Sequence, residues 1–278
     1  MSGIDIDHLK GWIGSEQRRE VTVTPTLAAQ FCVTLDLAPP AGDAPLPQLF
    51  HWCLTMPETA HSGLGPDGHA ARGGFLPPVP LPRRMWAGGA LEFRGDIRTG
   101  DTVALVARVE DVTLKTGRSG TLVFATVRHD VTGPRGPVAT ERQDIVYREV
   151  SPTVLGDTPL GPRMPEPEIT EAVAFDPVLL FRYSAVTFNG HRIHYDRSYC
   201  IEEEGYPGLI VHGPLQATRL AHLAARQLGR PLRHFAYRGT SPMFDGTPAA
   251  LNAVTGAEGL SLWVSTGRGD TTMTAEAG

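Results

Sequence analysis

The sequence is short of cysteine, of net positive charge and of long apolar runs. Its three cysteines, Cys32, Cys53 and Cys200, are widely spaced and form no CxxC pair, which predicts free thiols and no disulfide framework. A formal net charge of −5 argues against a nucleic-acid partner, which normally requires a basic surface. No run of about 18 apolar residues is present, so no membrane-spanning helix is expected. The N-terminal stretch lacks an apolar signal core, and we expect a cytoplasmic protein.

Glycine and proline, by contrast, are plentiful. Together the 31 glycines and 24 prolines make up 55 of 278 residues, below the roughly 25–30% typical of low-complexity chains. A hydrophobic content of 41% excludes wholesale disorder. Residues 57–83 form a Pro/Gly/His-rich stretch longer than an ordinary loop, which predicts a functional segment or one wrapped over a neighbour. Residues 150–168 hold five prolines without periodicity and are interpreted as a linker.

The first half of the sequence predicts a helix followed by an antiparallel β-meander. Thr24 is a helix N-cap residue before Pro25, and the apolar spacing that follows predicts a helix over 25–37. Alternating apolar residues separated by turn signals then predict strands over 90–94, 102–112, 121–131 and 138–147.

The second half repeats this order in outline. A helix is predicted over 213–228, with Pro214 in its first turn and Gly229 closing it. Strands are predicted over 233–240, 247–255, 260–265 and 271–275. The sequence therefore predicts an α+β protein of two similar domains side by side, over 1–149 and 169–278, joined by the linker 150–168.

The densest polar and aromatic cluster lies at 183–196, just before the second predicted helix. Three of the ten histidines, His191, His194 and His212, lie between positions 191 and 212. Asn189 and His194 are five residues apart in a stretch too short for a helix, so a turn can aim both side chains at one point. His212 and Gly213 open a helix whose free N–H groups favour a developing oxyanion. A satisfied polar loop beside a helix is the alternative interpretation.

Two other chemistries receive little support from the same stretch. His191, His194 and Asp196 resemble metal-ligand spacing, but an HxxH pair without a third partner is weak, and no metal site is expected. Ser184 lacks a GxSxG elbow, and Cys200 has no base in a fitting position. Nucleophilic catalysis is therefore not expected.

The run Phe188 to Asp196, with the sequence FNGHRIHYD, is followed by the His212-Gly213 pair. This pattern resembles the MaoC-like double hot dog hydratases and dehydratases. Within them it is most similar to the branch of hydroxyacyl-thioester dehydratase type 2 and the mesaconyl-CoA and itaconyl-CoA hydratases. Weaker similarity appears in the first half at 88–93 and 98–101. The resemblance implies a double hot dog fold, in which each half is a long helix wrapped by a curved antiparallel sheet, with a degenerate first half that accommodates the substrate.

The resemblance also implies the reaction and its residues. The family adds or removes water across the double bond of an α,β-unsaturated acyl thioester, commonly with an Asp and a His that share one water. Asn189 stands where most members have Asp, and an amide cannot take a proton as a carboxylate would. Our hypothesis is that Asn189 orients the water, that His194 removes its proton, and that the Gly213 N–H stabilises the thioester oxygen. Asp196 is interpreted as a turn carboxylate that caps a backbone N–H.

Substrate-binding roles are assigned by resemblance and by charge. The candidates are His191, Arg192, His212 and Arg238, with Arg83 and Arg84 as further cations for a carboxylate or for the coenzyme A phosphates. The expected substrate is a small branched dicarboxylyl-CoA of the mesaconyl or itaconyl type. A 3-hydroxyacyl-thioester dehydratase of fatty-acid metabolism, a non-catalytic acyl-CoA-binding protein and a thioesterase are the alternatives. No cofactor is expected beyond the coenzyme A of the substrate, and a homodimer or higher homo-oligomer is expected.

Overall fold

The computed structural model describes residues 3–55, 58–117, 120–149, 161–256 and 259–278. Its α-helices are α1 (Ile6–Lys10), α2 (Pro25–Thr34), α3 (Trp52–Thr55), α4 (Pro177–Val186), α5 (Arg197–Glu202) and α6 (Gly213–Leu228). Five strands belong to the first half: β1 (Glu16–Thr22), β2 (Arg83–Phe93), β3 (Thr102–Gly117), β4 (Gly120–Gly133) and β5 (Gly136–Arg148). Five belong to the second: β6 (Ile169–Val173), β7 (His234–Gly239), β8 (Ala249–Thr255), β9 (Leu260–Thr266) and β10 (Thr271–Ala277).

All ten strands form one sheet, in the order β1-β3-β4-β5-β2-β7-β10-β9-β8-β6. The two halves have equivalent strand orders. Counted from its edge to the centre, the first half runs β1-β3-β4-β5-β2 and the second β6-β8-β9-β10-β7, so β2 and β7 meet at the centre. Gly88 pairs with Arg238 and Leu91 with Phe235 across this central junction. Main-chain hydrogen bonds therefore join the two halves. Helices packed beside a single antiparallel sheet confirm the α+β class expected from the sequence.

The helices of the two halves correspond in order but differ in length. Both α2 and α4 begin with a side-chain cap followed by proline: Thr24 accepts from Leu27 N–H, and Asp176 accepts from Val178 and Leu179 N–H. The next helix of the second half is α6, whose 16 residues pack against β7–β10 and end at Gly229 in the left-handed conformation (φ 66°). Its counterpart in the first half is α3, with four residues.

Most predicted elements are confirmed, with three exceptions. The helix predicted over 25–37 ends at Thr34, and the described part of the first half holds no long central helix of the kind the resemblance implied. The edge strands β1 and β6 and the helix α4 had not been predicted. The two-domain boundaries stay a prediction, since β5 ends at Arg148, β6 begins at Ile169, and part of the proposed linker (150–160) lies outside the described residues.

The structure can be compared with the expectations of free cysteines and of no membrane-spanning helix. Cys32, Cys53 and Cys200 are all free thiols, as predicted. Within the described ranges, no helix combines the length and the apolar character needed to cross a bilayer.

Candidate active site

A cleft of about 2220 Å³ lies between the two halves, and both contribute to its walls. Phe124, Gln143 and Ile145 line it from β4 and β5 of the first half. These strands correspond in the sheet order to β9 and β10, which contact α6 in the second half. The cleft therefore lies between strands of the first half, whose described residues include no long helix, and the start of α6.

Asn189 reaches the cleft at the end of α4. Phe188 adopts φ 54°, a left-handed conformation that is rare for a bulky residue, and the Asn189 N–H donates to the Ser184 carbonyl at 2.8 Å. This sharp exit from the helix turns Asn189 into the cleft wall. Its Oδ1 accepts the backbone N–H of His191 at 3.0 Å, so the oxygen of the amide is occupied by the turn. The NH₂ of the same amide remains as a donor.

His194 lies on a short 3₁₀ turn (Arg192–His194) and is buried against the cleft. Its Nδ1 lies 2.8 Å from the Ile210 carbonyl oxygen. Because a carbonyl only accepts, Nδ1 carries the ring proton and Nε2 holds the lone pair. Burial lowers the pKa of His194 to about 4 against the opposing effect of the Ile210 carbonyl. The imidazole is therefore neutral at pH 7 and can accept a proton at Nε2.

His212 supports His194 from behind. The two rings are stacked, with centroids 3.7 Å apart and planes 19° from parallel. His212 is fully buried, its Nε2 is hydrogen-bonded to Ser184 Oγ at 2.8 Å, and its Nδ1 has no partner among the described residues. Burial holds the pKa of His212 well below its ordinary value. His212 does not belong to the cleft wall, so the structure gives it a contact with His194 and none with the cleft.

Gly213 opens α6 directly beside this pair of rings. It lines the cleft, and the first N–H groups of a helix have no partner within the helix. Pro214 follows without an N–H, so the donor nearest the cleft is that of Gly213. A Cβ placed on Gly213 would lie 3.7 Å from the Trp86 carbonyl oxygen, which shows how closely β2 approaches the start of α6.

The first half sends a loop, residues 64–70, into the same site. The Arg192 N–H donates to the Asp67 carbonyl at 2.9 Å. Gly68 lies so close to the Asn189-Gly190 turn that a Cβ there would meet the Gly190 oxygen at 1.9 Å, and its φ is +86°. The Pro/Gly/His-rich stretch thus wraps over its neighbour, as the sequence predicted.

This loop places Asp67 and His69 next to His191. The His69 Nδ1 lies 2.8 Å from Asp67 Oδ2, and the rings of His69 and His191 are 4.0 Å apart. Burial lowers the pKa of both histidines, although the Asp67 carboxylate partly opposes this effect at His69. Burial alone would raise the pKa of Asp67, but the hydrogen bonds from His69 outweigh it and lower that pKa to about 2.

Asp67, His69 and His191 also have ligand atoms within 4.8 Å of one another, the spacing of a possible metal site. This set differs from the one weighed in the sequence, since Asp196 points elsewhere and His194 donates to Ile210. The two nearest ligand atoms are already joined by the hydrogen bond between Asp67 and His69. The expected absence of a metal stays a prediction.

The predicted arginines are distributed unequally. Arg192 pairs with Asp196 at 2.8 Å and donates to the Pro66 carbonyl, and it is not part of the cleft wall. Asp196 accepts the Tyr199 N–H at the start of α5, which confirms its expected role as a cap. Arg238 lines the cleft and is exposed. Arg83 and Arg84 also line it.

The structure thus brings Asn189, His191, His194 and Gly213 to one cleft wall, with Arg238 further out, and leaves Arg192 and His212 outside it. Sequence reasoning missed Asp67, His69 and the Ser184 contact to His212. The only signal for the first two was the excessive length of the loop that carries them.

Comparison with known proteins adds three findings. A model of the family "hydroxyacyl-thioester dehydratase type 2" matches residues 49–245. The mesaconyl-C(4)-CoA hydratase of Chloroflexus aurantiacus is 42% identical over 268 residues, covering 95% of each chain. Among solved structures, a MaoC-like dehydratase from Phytophthora capsici superimposes with a TM-score of 0.72 at 15% identity, over 98% of this chain and 97% of that one.

A fourth match concerns the fold. A Mycobacterium tuberculosis protein described as having a double hotdog fold superimposes with a TM-score of 0.55 at 16% identity, over 95% of each chain. The double hot dog architecture expected from the resemblance is confirmed.

Proposed function

Because the chain belongs to the hydroxyacyl-thioester dehydratase type 2 family, we propose that it adds water to the double bond of a mesaconyl-C(4)-CoA-type thioester. The observation that carries the proposal is the state of His194: a neutral imidazole that lines the cleft, with its Nδ1 proton donated to Ile210 and the lone pair therefore on Nε2. The 42% identical relative named for this substrate covers nearly the whole chain. The expected reaction class, a hydro-lyase acting on an acyl thioester, follows from the same family.

The first step is the removal of a proton from water. The Asn189 NH₂ donates to the water oxygen and orients it, while His194 Nε2 accepts one of its protons. The oxygen forms a bond to the β-carbon, and the π electrons of the double bond move toward the thioester carbonyl. An amide can position the water but cannot compete for its proton, which leaves His194 as the only acceptor of the pair.

The second step protonates the α-carbon. The negative charge on the thioester oxygen is stabilised by the Gly213 N–H at the positive end of α6, a contact that can contribute about 3 kcal/mol. His194, now an imidazolium, returns its proton to the α-carbon, and the net change is the addition of one water. The low pKa of His194 favours this return, since burial makes its imidazolium a stronger acid than a solvent-exposed one.

The test is a panel of enoyl-CoA thioesters assayed on the purified chain. Mesaconyl-C4-CoA, itaconyl-CoA and a long-chain enoyl-CoA are each followed by loss of enoyl-thioester absorbance and by the mass gain of one water. We expect mesaconyl-C4-CoA to have the highest kcat/KM. Preference for the long chain would favour the dehydratase of fatty-acid metabolism instead.

The same assay separates the remaining alternatives. A thiol-trapping dye detects free coenzyme A, which a thioesterase releases and a hydratase does not. Binding of acyl-CoA without any change in absorbance or mass would identify a non-catalytic binding protein and would overturn the proposal.

Three further expectations are part of the proposal. The substrate supplies the only coenzyme A that the reaction needs, the chain acts in the cytoplasm, and it assembles as a homo-oligomer. Size-exclusion chromatography with light scattering tests the last of these.

A further inference from the structure

The arginines that line the cleft differ in whether they already have partners. Arg72 donates to the carbonyls of Val79 and Pro82 at 2.8 and 2.7 Å, and Arg83 forms an ion pair with Glu204 at 3.1 Å. Arg84 is half-buried and, within the described ranges, has no carboxylate within 4 Å. Its guanidinium therefore lines the cleft without an ion-pair partner, although Asp67 is close enough for the Arg84 charge to lower the pKa of that carboxyl.

The strand register places two further donors beside Arg84. Tyr147 on β5 lies directly opposite Arg84 on β2, so both side chains project from the same face of the sheet. Trp86 follows two residues later along β2 and shares that face. All three residues line the cleft.

The polar atoms of these neighbours are unsatisfied. The Tyr147 hydroxyl and the Trp86 Nε1 are both buried. Arg84 lies beside the first and the Tyr237 hydroxyl beside the second, but no described residue meets either group with hydrogen-bond geometry. Buried polar groups in folded proteins are nearly always paired, so two unpaired groups in one cleft wall indicate a missing partner. Burial raises the pKa of the Tyr147 hydroxyl, and the adjacent Arg84 charge opposes the rise, which leaves the phenol as a donor at neutral pH.

A guanidinium, a phenol and an indole N–H are all donors. The group that satisfies them together is an anion with several acceptor oxygens, and a planar carboxylate matches the guanidinium fork. We propose that Arg84 and Tyr147, with Trp86, bind the free carboxylate of a dicarboxylic monothioester. This inference rests on the proposed function and names the part of the molecule that selects its substrate.

The position of this subsite fits the chemistry. The Trp86 carbonyl adjoins Gly213, where the thioester carbonyl would be held, and two residues of a strand span about 6.6 Å, the scale of a four-carbon diacid. In mesaconyl-C4-CoA the free carboxylate is attached to the carbon that receives the hydroxyl, so it must lie close to the water. Arg84 lines the same cleft as His191, whose backbone N–H is held by Asn189.

The test compares acyl groups that differ only in the carboxylate. Mesaconyl-C4-CoA and 3-methylcrotonyl-CoA share the reacting carbon skeleton, with a methyl in place of the carboxylate in the second. We expect Arg84→Gln to lower kcat/KM for mesaconyl-C4-CoA by about 10- to 100-fold and to change that for 3-methylcrotonyl-CoA by less than about threefold. Tyr147→Phe should reduce the ratio of kcat/KM for mesaconyl-C4-CoA to that for 3-methylcrotonyl-CoA by about two- to tenfold. Arg84→Lys, which keeps the charge without the fork, should fall between wild type and Arg84→Gln.

A binding measurement separates this inference from the proposed function. Succinyl-CoA and butyryl-CoA are unreactive toward hydration and again differ by a carboxylate. The wild-type chain should bind succinyl-CoA more tightly, and Arg84→Gln should remove the difference. This preference can be observed even in a chain that hydrates no enoyl thioester, in which case the proposed function fails while the subsite stands.

Arg142→Gln is the matched control, since Arg142 is an exposed arginine on β5 paired with Asp144 at 3.2 Å. It should leave both preferences unchanged. The inference is overturned if Arg84→Gln weakens activity or binding equally for the thioester with the carboxylate and for the one without it. It is also overturned if both Arg84→Gln and Tyr147→Phe keep the wild-type preference for the carboxylate.

Discussion

The two halves of the chain share a strand order but fill the space beside their strands differently. In the second half, the 16 residues of α6 pack on β7–β10 and contribute ten buried residues to the core. In the first half, the four residues of α3 hold the corresponding place in the chain order, and part of the space left is the cleft. A helix that packs well and a helix reduced to one turn thus produce a core on one side and a binding site on the other.

The difference also separates the tasks of the two halves. The second half supplies the neutral His194, Asn189 and the first turn of α6. The first half supplies much of the wall of the cleft, including Arg84, and the 64–70 loop that contacts the turn after Asn189. At the start of α3, the counterpart of α6, a buried carboxylate, Glu141, accepts from His51 Nε2 and Trp52 Nε1 at 3.0 Å each.

His194→Ala tests whether the chemistry resides in the second half. Loss of the proton acceptor should lower kcat for hydration by about 10²- to 10⁴-fold while the melting temperature changes little. In the wild type, a His194 pKa of about 4 predicts that kcat is constant near pH 7 and falls as the pH approaches 4, because the protonated ring cannot accept a proton from water. The measurement is the pH–rate profile of both proteins.

His234→Ala provides the control for this variant. His234 is exposed at the start of β7, and its replacement should change kcat by no more than about twofold. If His194→Ala keeps the wild-type rate, His194 is not the proton acceptor and the assignment of the reaction to the second half is wrong.

Glu141→Ala tests whether the polar network of the first half is structural. Removing one partner of a buried pair should lower the free energy of unfolding by about 3–5 kcal/mol, measured by urea denaturation at pH 7. Glu92→Ala, an exposed glutamate on β2, should cost less than about 0.5 kcal/mol.

The pH dependence gives a second readout of the same variant. Burial alone would raise the pKa of Glu141, but the hydrogen bond and charge of His51 outweigh it, so the folded pKa lies below the ordinary value. The stabilisation is present above the unfolded pKa of about 4.3 and is lost as the pH falls through the folded pKa. The difference between wild type and Glu141→Ala should therefore shrink below about pH 4. A constant difference would contradict the ion pair.

Asn189→Asp sharpens the role of the catalytic pair and should have the smallest effect. The carboxylate retains the acceptor for the His191 N–H, so the turn is kept. Its charge favours the imidazolium of His194, which should move the acid limb of the pH–rate profile upward, with kcat/KM at pH 7 within about tenfold of wild type. Asn189→Ala, which lacks both donor and acceptor, should be slower than Asn189→Asp. A dead Asn189→Asp enzyme would instead show that an amide is required.

Much of the fold could be predicted from local sequence signals. The Thr24-Pro25 cap and the Gly229 stop define α2 and α6 because caps and prolines act within one turn. The edge strands β1 and β6 were missed since their charged and polar residues show no apolar alternation, and only pairing with β3 and β8 makes them strands.

The site was predictable where its residues are neighbours in sequence. Asn189 and His194 are joined by one short turn, and Gly213 follows in the same stretch of chain after α5. His69 and Arg84 line the same cleft from more than 100 residues away, through a loop contact and a strand register that no local pattern encodes. Arg192 and Asp196 are only four residues apart, but sequence alone does not distinguish an ion pair between them from a substrate contact of Arg192.

The contact between Gly68 and Gly190 has a consequence for how variation in this protein should be interpreted. No side chain fits at position 68, because a Cβ would overlap the Gly190 oxygen and the backbone there is left-handed. A saturation scan scored by growth should therefore rank Gly68 with His194, although a glycine has no group for acid–base chemistry. Intolerance at that position would measure the fit between two loops from opposite halves, and a suppressor of a Gly68 variant should map to the turn around Gly190.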